Sequence, residues 1–96
     1  MKYSISQKAI EDLENIWEFT AENWSIEQAD RYYFLIIDEI KYLSIHFEAG
    51  KSIDFIRKGY RSSIVKSHRI YCRKTKNNTV EFIRILHQSM DVEHRI

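Results

Sequence analysis

Trp24-Ser25-Ile26-Glu27-Gln28 is the stretch on which the reading of the fold turns. Ser25 to Gln28 has the form S-x-x-Q, in which a serine caps a helix N-terminus and a Gln three residues on reaches back. Upstream, Ala9, Leu13, Ile16, Trp17, Thr20 and Trp24 recur at spacings of three and four. They predict a helix over 7–24 with one apolar stripe. Ser6 is its expected N-cap, with Glu11, Asp12 and Glu14 toward the positive end of the helix dipole. Downstream, Ala29, Tyr33, Ile36, Ile37, Ile40 and Leu43 predict a second helix over 26–46. Two helices joined by almost no loop must fold back as an αα-hairpin. Each stripe then needs a further apolar surface to cover it.

The second half supplies that surface. Proline is absent, and the two glycines, Gly50 and Gly59, stand where the pattern changes. From Gly59 onward the period is near two, predicting strands over 60–66, 69–75 and 79–87. Lys76-Asn77-Asn78 is a short polar turn between the last two, and Asn tolerates positive φ there. In the last strand Val80, Phe82 and Arg84 are expected on one face, with Glu81, Ile83 and Ile85 on the other. Lys-Tyr-Ser-Ile at 2–5 suits a short first strand, and 88–96 reads as a mobile polar tail. The expected order is β-α-α-β-β-β. This is an α+β domain in which an N-terminal helical hairpin packs on one face of a small antiparallel sheet.

Composition narrows the class. Ninety-six residues make one expected domain, 1–96, and 44% hydrophobic content is enough for a packed core, which argues against global disorder. A single cysteine, Cys72, excludes an intrachain disulfide framework and a multi-Cys zinc site. The histidines His46, His68, His87 and His94 have no metal-ligand spacing, so neither a metal nor another cofactor is expected. No apolar run approaches the length of a membrane span, and Met1-Lys2-Tyr3-Ser4-Ile5 has no signal-peptide core. A cytoplasmic protein without a membrane partner is the expectation.

Charge is divided along the chain. Residues 1–50 carry 4 basic and 10 acidic residues, net −6, while residues 51–96 carry 11 basic and 4 acidic, net +7. The boundary coincides with the change from helical to strand pattern, so the split marks two layers of one domain. The cations are interleaved with Tyr60, Tyr71 and Phe82, which suits RNA or an acidic protein segment. They equally suit a solvated sheet face that balances the acidic helices. Arg61, Arg84 and His87 are the candidate acid/base and phosphate-binding group for RNA cleavage, against a structural role for His87. Cys72, mid-strand, is expected to be a small buried residue.

Three segments carry a family resemblance: Gly59-Tyr60-Arg61-Ser62, Ser67-His68-Arg69-Ile70-Tyr71, and Arg84-Ile85-Leu86-His87-Gln88-Ser89-Met90-Asp91. They resemble the RelE/ParE toxin superfamily, and its ParE branch in particular. Ala9, Asp12-Leu13 and Ile16 match as well, as do Trp24, Gln28-Ala29 and Tyr32, so the likeness spans nearly the whole chain. Its most specific part is the R-I-L-H-x-x-M-D ending. The family fold, a helical hairpin on an antiparallel sheet, agrees with the order derived above.

The resemblance implies the toxin of a type II toxin–antitoxin pair. ParE toxins inhibit DNA gyrase and so block replication, through binding rather than catalysis. RelE relatives instead cut mRNA on the ribosome, which makes an endoribonuclease the alternative. Both are neutralised by a cognate antitoxin whose extended, often acidic C-terminal segment wraps the toxin. The implied antitoxin contacts are Tyr60, Arg61, Arg69, Tyr71, Arg73 and Arg84, and the implied target contacts are Met90 and Asp91. If the chain is a ribonuclease, Arg61, Arg84 and His87 carry the chemistry. Two departures stand out. No tyrosine follows Tyr71, which removes a late catalytic Tyr, and Phe47-Glu48-Ala49-Gly50 lacks the proline that often precedes this loop glycine.

Overall fold

A computed structural model describes residues 2–96; Met1, the first residue of the leader reading above, lies outside them. The elements are β1 (Tyr3–Ile5), α1 (Gln7–Asn23), α2 (Ile26–Ile45), a 3-10 turn (Phe47–Ala49), β2 (Lys51–Ser52), β3 (Tyr60–Val65), β4 (His68–Lys74) and β5 (Val80–His87). The sheet order is β1-β5-β4-β3-β2. The β2-β3-β4-β5 ladder is antiparallel, as expected, whereas β1 runs parallel to β5, so the five-stranded sheet is mixed. The short β2 and the 3-10 turn had no periodic signal, being too brief to show one.

Local capping sets the hairpin. Ser6 Oγ accepts from the Ala9 N–H at 3.0 Å, and Ser25 Oγ accepts from the Gln28 N–H at 3.0 Å. The Gln28 side chain accepts from Arg31 instead of closing the reciprocal half of the box. Both stripes face the sheet. Ala9, Leu13, Ile36, Ile40 and Leu43 form the main core with Ile70, Cys72, Val80, Phe82 and Ile85. Trp24 is a correction: as the C-cap of α1 it stands 75% exposed, one residue beyond the end of the helix and four beyond Thr20, the last buried residue of the stripe.

A β-bulge corrects the expected facing of β5. Tyr71 is paired with Arg84 and Cys72 with Phe82, which leaves Ile83 as the extra residue. The alternation resets there. Ile85 joins Val80 and Phe82 in the helix-side core, while Arg84 lies opposite Tyr71, whose side chain belongs to a second cluster.

That second cluster, Ile53, Tyr71 and Leu86, corrects the expectation of a mobile tail. Val92 and Ile96 pack against it from the C-terminal segment, and Ile56 and Tyr60 from the other side. The tail is fastened by the Gln88 N–H to the Ser67 carbonyl (2.9 Å), the Met90 N–H to the His87 carbonyl (2.9 Å) and the Arg84 guanidinium to the Arg95 carbonyl (3.3 Å). Apolar Val92 and Ile96, isolated in a polar stretch, were too sparse to declare a buried face.

Candidate functional site

The strand ladder of β1 on β5 stops at Phe82, and side chains of the hairpin take over the exposed strand edge. The Ser6 N–H donates to the Phe82 carbonyl (2.9 Å), and Ser6 Oγ donates to the Ile83 carbonyl (2.7 Å). The next open group, the Ile85 N–H, donates to Asp12 Oδ2 at 2.9 Å. The same carboxylate receives Arg84 Nε at 2.8 Å and Arg84 Nη2 at 2.9 Å, a bidentate pair. The two side chains are only 16% and 12% exposed. Hydrogen bonding to Asp12 pushes the Arg84 guanidinium still further up in pKa, so it stays charged. Arg84 is thus committed to joining α1 to β5.

The other expected site residues are similarly engaged. Arg61 donates to the carbonyls of Gly50 (2.6 Å) and Glu48 (3.3 Å) and lies over the Phe47 ring. Arg73 pairs with Glu81 across the sheet at 2.8 Å. Tyr71 is buried, 5% exposed, and burial raises its phenol pKa. Tyr60 is half-buried against the same cluster, and Arg69 is half-buried beside it in β4. Arg61, Arg84 and His87 are not brought together. Arg61 lies two strands away from β5, and His87 is three residues beyond Arg84, roughly 10 Å along the strand.

In the tail, Met90 is 45% exposed. Asp91 Oδ1 accepts from the Glu93 N–H at 3.1 Å, and its Oδ2 lies 2.6 Å from His94 Nδ1, a contact that holds the carboxyl below its ordinary pKa. Asp91 therefore shapes the turn that follows Met90. Cys72 is fully buried, with its thiol pushed up to about 12 by that burial, so it is a neutral core residue. Among the described residues no three His, Cys, Asp or Glu side chains are grouped to hold a metal, and no helix is long and apolar enough to cross a membrane.

The structure also assembles a site that sequence spacing did not reveal. Between the connected end of the helical hairpin, where α1 passes into α2, and the β3–β4 turn lies a cleft of about 670 Å³. Phe19, Trp24 and Leu35 form its apolar wall, and Arg31, Lys66, His68 and His87 its polar side. Among the described residues no carboxylate lines it. At the base, Tyr32 Oη donates to the Val65 carbonyl (3.0 Å) and lies 2.6 Å from His68 Nδ1. The direction of the Tyr32–His68 hydrogen bond follows the tautomer of the imidazole, since either atom can carry the proton. His87 Nδ1 lies 2.7 Å from Ser89 Oγ and 3.2 Å from the Ser89 backbone nitrogen. The two rings are 5.4 Å apart at 84°. Burial first, and the charge of His87 second, hold His68 below the usual imidazole value. Tyr32 and His68 are 36 residues apart in sequence, so only folding joins them.

Large apolar side chains remain exposed on the hairpin, notably Phe19, Trp24, Ile26, Phe34 and Leu35.

Comparison with known proteins completes the picture. The family described as ParE toxin of type II toxin–antitoxin system, parDE, matches residues 3–92. Toxin ParE1 of Mycobacterium tuberculosis is 34% identical over 95 residues, covering 99% of this chain and 97% of that protein. Toxin ParE1 of Caulobacter vibrioides is 35% identical over 89 residues, covering 93% and 91%. A chain in a solved structure described as the chromosomal ParDE TA system from P. aeruginosa superposes with a TM-score of 0.78 at 20% identity, over 91% of this chain and 95% of that one. At that identity the superposition speaks for the fold.

Proposed function

This chain belongs to the ParE toxin family and is the toxin of a type II toxin–antitoxin system, and from that premise we propose that it acts by binding DNA gyrase and is held silent by a cognate antitoxin. The observation that carries the reading is the family match over residues 3–92. The residue geometry favours binding over RNA cleavage for the expected group. Arg84 is neutralised by Asp12 and Arg61 is spent on two backbone carbonyls. Neither is free to stabilise a phosphorane in the way a cleavage site requires.

The antitoxin's amphipathic segment has a natural seat on the exposed apolar residues of the hairpin, by helix-in-groove contacts. Arg69 and Arg73, both partly in solvent, add cations on the sheet for its carboxylates, and Tyr60 adds an aromatic edge. On the target side, Met90 stands exposed just before the turn that Asp91 shapes, and this pair is the proposed gyrase contact.

A supercoiling assay tests the proposal. Purified toxin at micromolar concentration is expected to block gyrase, Met90→Ala and Asp91→Ala to weaken the block, and added cognate antitoxin to relieve it. Full supercoiling activity in the presence of folded toxin rejects gyrase as the target.

A further inference from the structure

The cleft beside His68 and His87 shares its apolar wall, Phe19, Trp24 and Leu35, with the proposed antitoxin seat, but its polar side has no part in that reading and its chemistry is selective. We infer that it binds a nucleoside monophosphate unit, with the base against Trp24 and Phe19 and the phosphate among Lys66, Arg31 and His87.

Four observations carry this. The volume, about 670 Å³, falls in the range of small-molecule pockets. Two flat rings stand at the rim with most of their surface in water, Trp24 at 75% and Phe19 at 65% exposure, and every nucleobase offers a face to stack on such rings. Among the described residues the lining contains two permanent cations and no carboxylate, which selects an anion.

The fourth observation is the imidazole pair: His68 and His87, with ring centres 5.4 Å apart, both line the cleft and offer nitrogens able to hydrogen-bond a phosphate oxygen and a ribose hydroxyl.

The turn itself adds support. Lys66-Ser67 is a two-residue hairpin loop closed by the Val65–His68 pair, and Lys66 has φ +55°. Glycine and asparagine are the residues that take a left-handed position in such a turn without strain. A lysine kept there places its charge at the rim of the cleft at a cost to the backbone.

The test uses the full chain carrying Trp17→Phe, so that Trp24 is the sole tryptophan reporter. Adenosine 5′-monophosphate is expected to change Trp24 fluorescence saturably. Adenosine alone and inorganic phosphate alone are each expected to bind at least about tenfold more weakly, since each lacks one half of the recognition. Lys66→Gly is expected to weaken the monophosphate about tenfold while raising Tm, because glycine suits the left-handed backbone. A lysine with a purely structural role gives no loss of binding in that variant. His87→Leu is expected to weaken binding as well.

Absence of a saturable change at millimolar nucleotide overturns the inference. So does binding of phosphate alone as tight as that of the nucleotide, or an unchanged affinity in Lys66→Gly. Occupation of the cleft by an acidic amphipathic peptide, with no response to the nucleotide, assigns it to a protein partner and equally overturns it.

Discussion

Asp12→Ala is expected to be among the most damaging single changes on this domain's polar contacts, and its size can be worked from the contacts. The carboxylate accepts three hydrogen bonds, two from Arg84 and one from the Ile85 N–H. Truncation leaves the Ile85 N–H without its charged acceptor, a loss of about 1.5–3 kcal/mol for a bond to a charged group. It also leaves a guanidinium that is 16% exposed without its counter-ion. Removing one partner of a fully buried pair costs about 3–5 kcal/mol. Arg84 keeps its bond to the Arg95 carbonyl at 3.3 Å and some water, which lowers that figure. The terms share one carboxylate and do not add, so the expected loss is about 3 kcal/mol.

On a domain of this size that corresponds to a fall in Tm of roughly 12–24 °C. Urea denaturation followed by circular dichroism measures it as a drop in midpoint at unchanged slope. The double variant Asp12→Ala with Arg84→Met removes the stranded charge. It is expected to be more stable than the sum of its single variants by at least ~1 kcal/mol. Asp12→Asn, which keeps an acceptor for Ile85, should fall between wild type and Asp12→Ala. A loss below ~1 kcal/mol in Asp12→Ala, or strict additivity in the double variant, refutes the reasoning that this carboxylate substitutes for a missing strand.

Two further predictions concern the interior. His68 is held neutral by burial, with the charge of His87 acting in the same direction and Asp12 against it, so its folded pKa lies below 6.5. The unfolded chain therefore takes up that proton first. The stability contributed by this group is present above pH 6.5 and is lost as pH falls through the folded pKa. Tm measured from pH 7 to 5 should fall more in wild type than in His68→Gln, and parallel curves contradict this. Ser62 Oγ is buried with no hydrogen-bond partner among the described residues. Ser62→Ala should accordingly leave stability unchanged or raise it by up to ~1 kcal/mol, and a clear loss in urea denaturation shows a partner for that hydroxyl.

The elements themselves were legible in the sequence because they depend on short-range chemistry. Spacings of three and four, a serine before each helix and alternation after Gly59 located α1, α2, β3, β4 and β5 to within a residue or so. Asn78 took the positive φ, +60°, that its turn chemistry predicts. The R-I-L-H-x-x-M-D ending identified the family, which the match over residues 3–92 establishes.

What periodicity could not reach was every feature set by the meeting of distant residues. The bulge at Ile83 depends on registering β5 against β4, and it alone decides that Arg84 leaves the face of Phe82. The bond between Asp12 and Arg84 spans 72 residues, so a cation that reads as a free ligand in sequence is internal in the fold. The tail reads as polar because most of it is, yet Val92 and Ile96 find the second cluster once β4 and β5 have built it. The His68–His87 pair needed the same two strands in register, with α2 above them to bring Tyr32. Sequence determined the secondary structure and the family, since both are written in local patterns. The fate of each charge was decided by tertiary structure, because a charge's energy depends on what lies within a few ångströms, from anywhere in the chain.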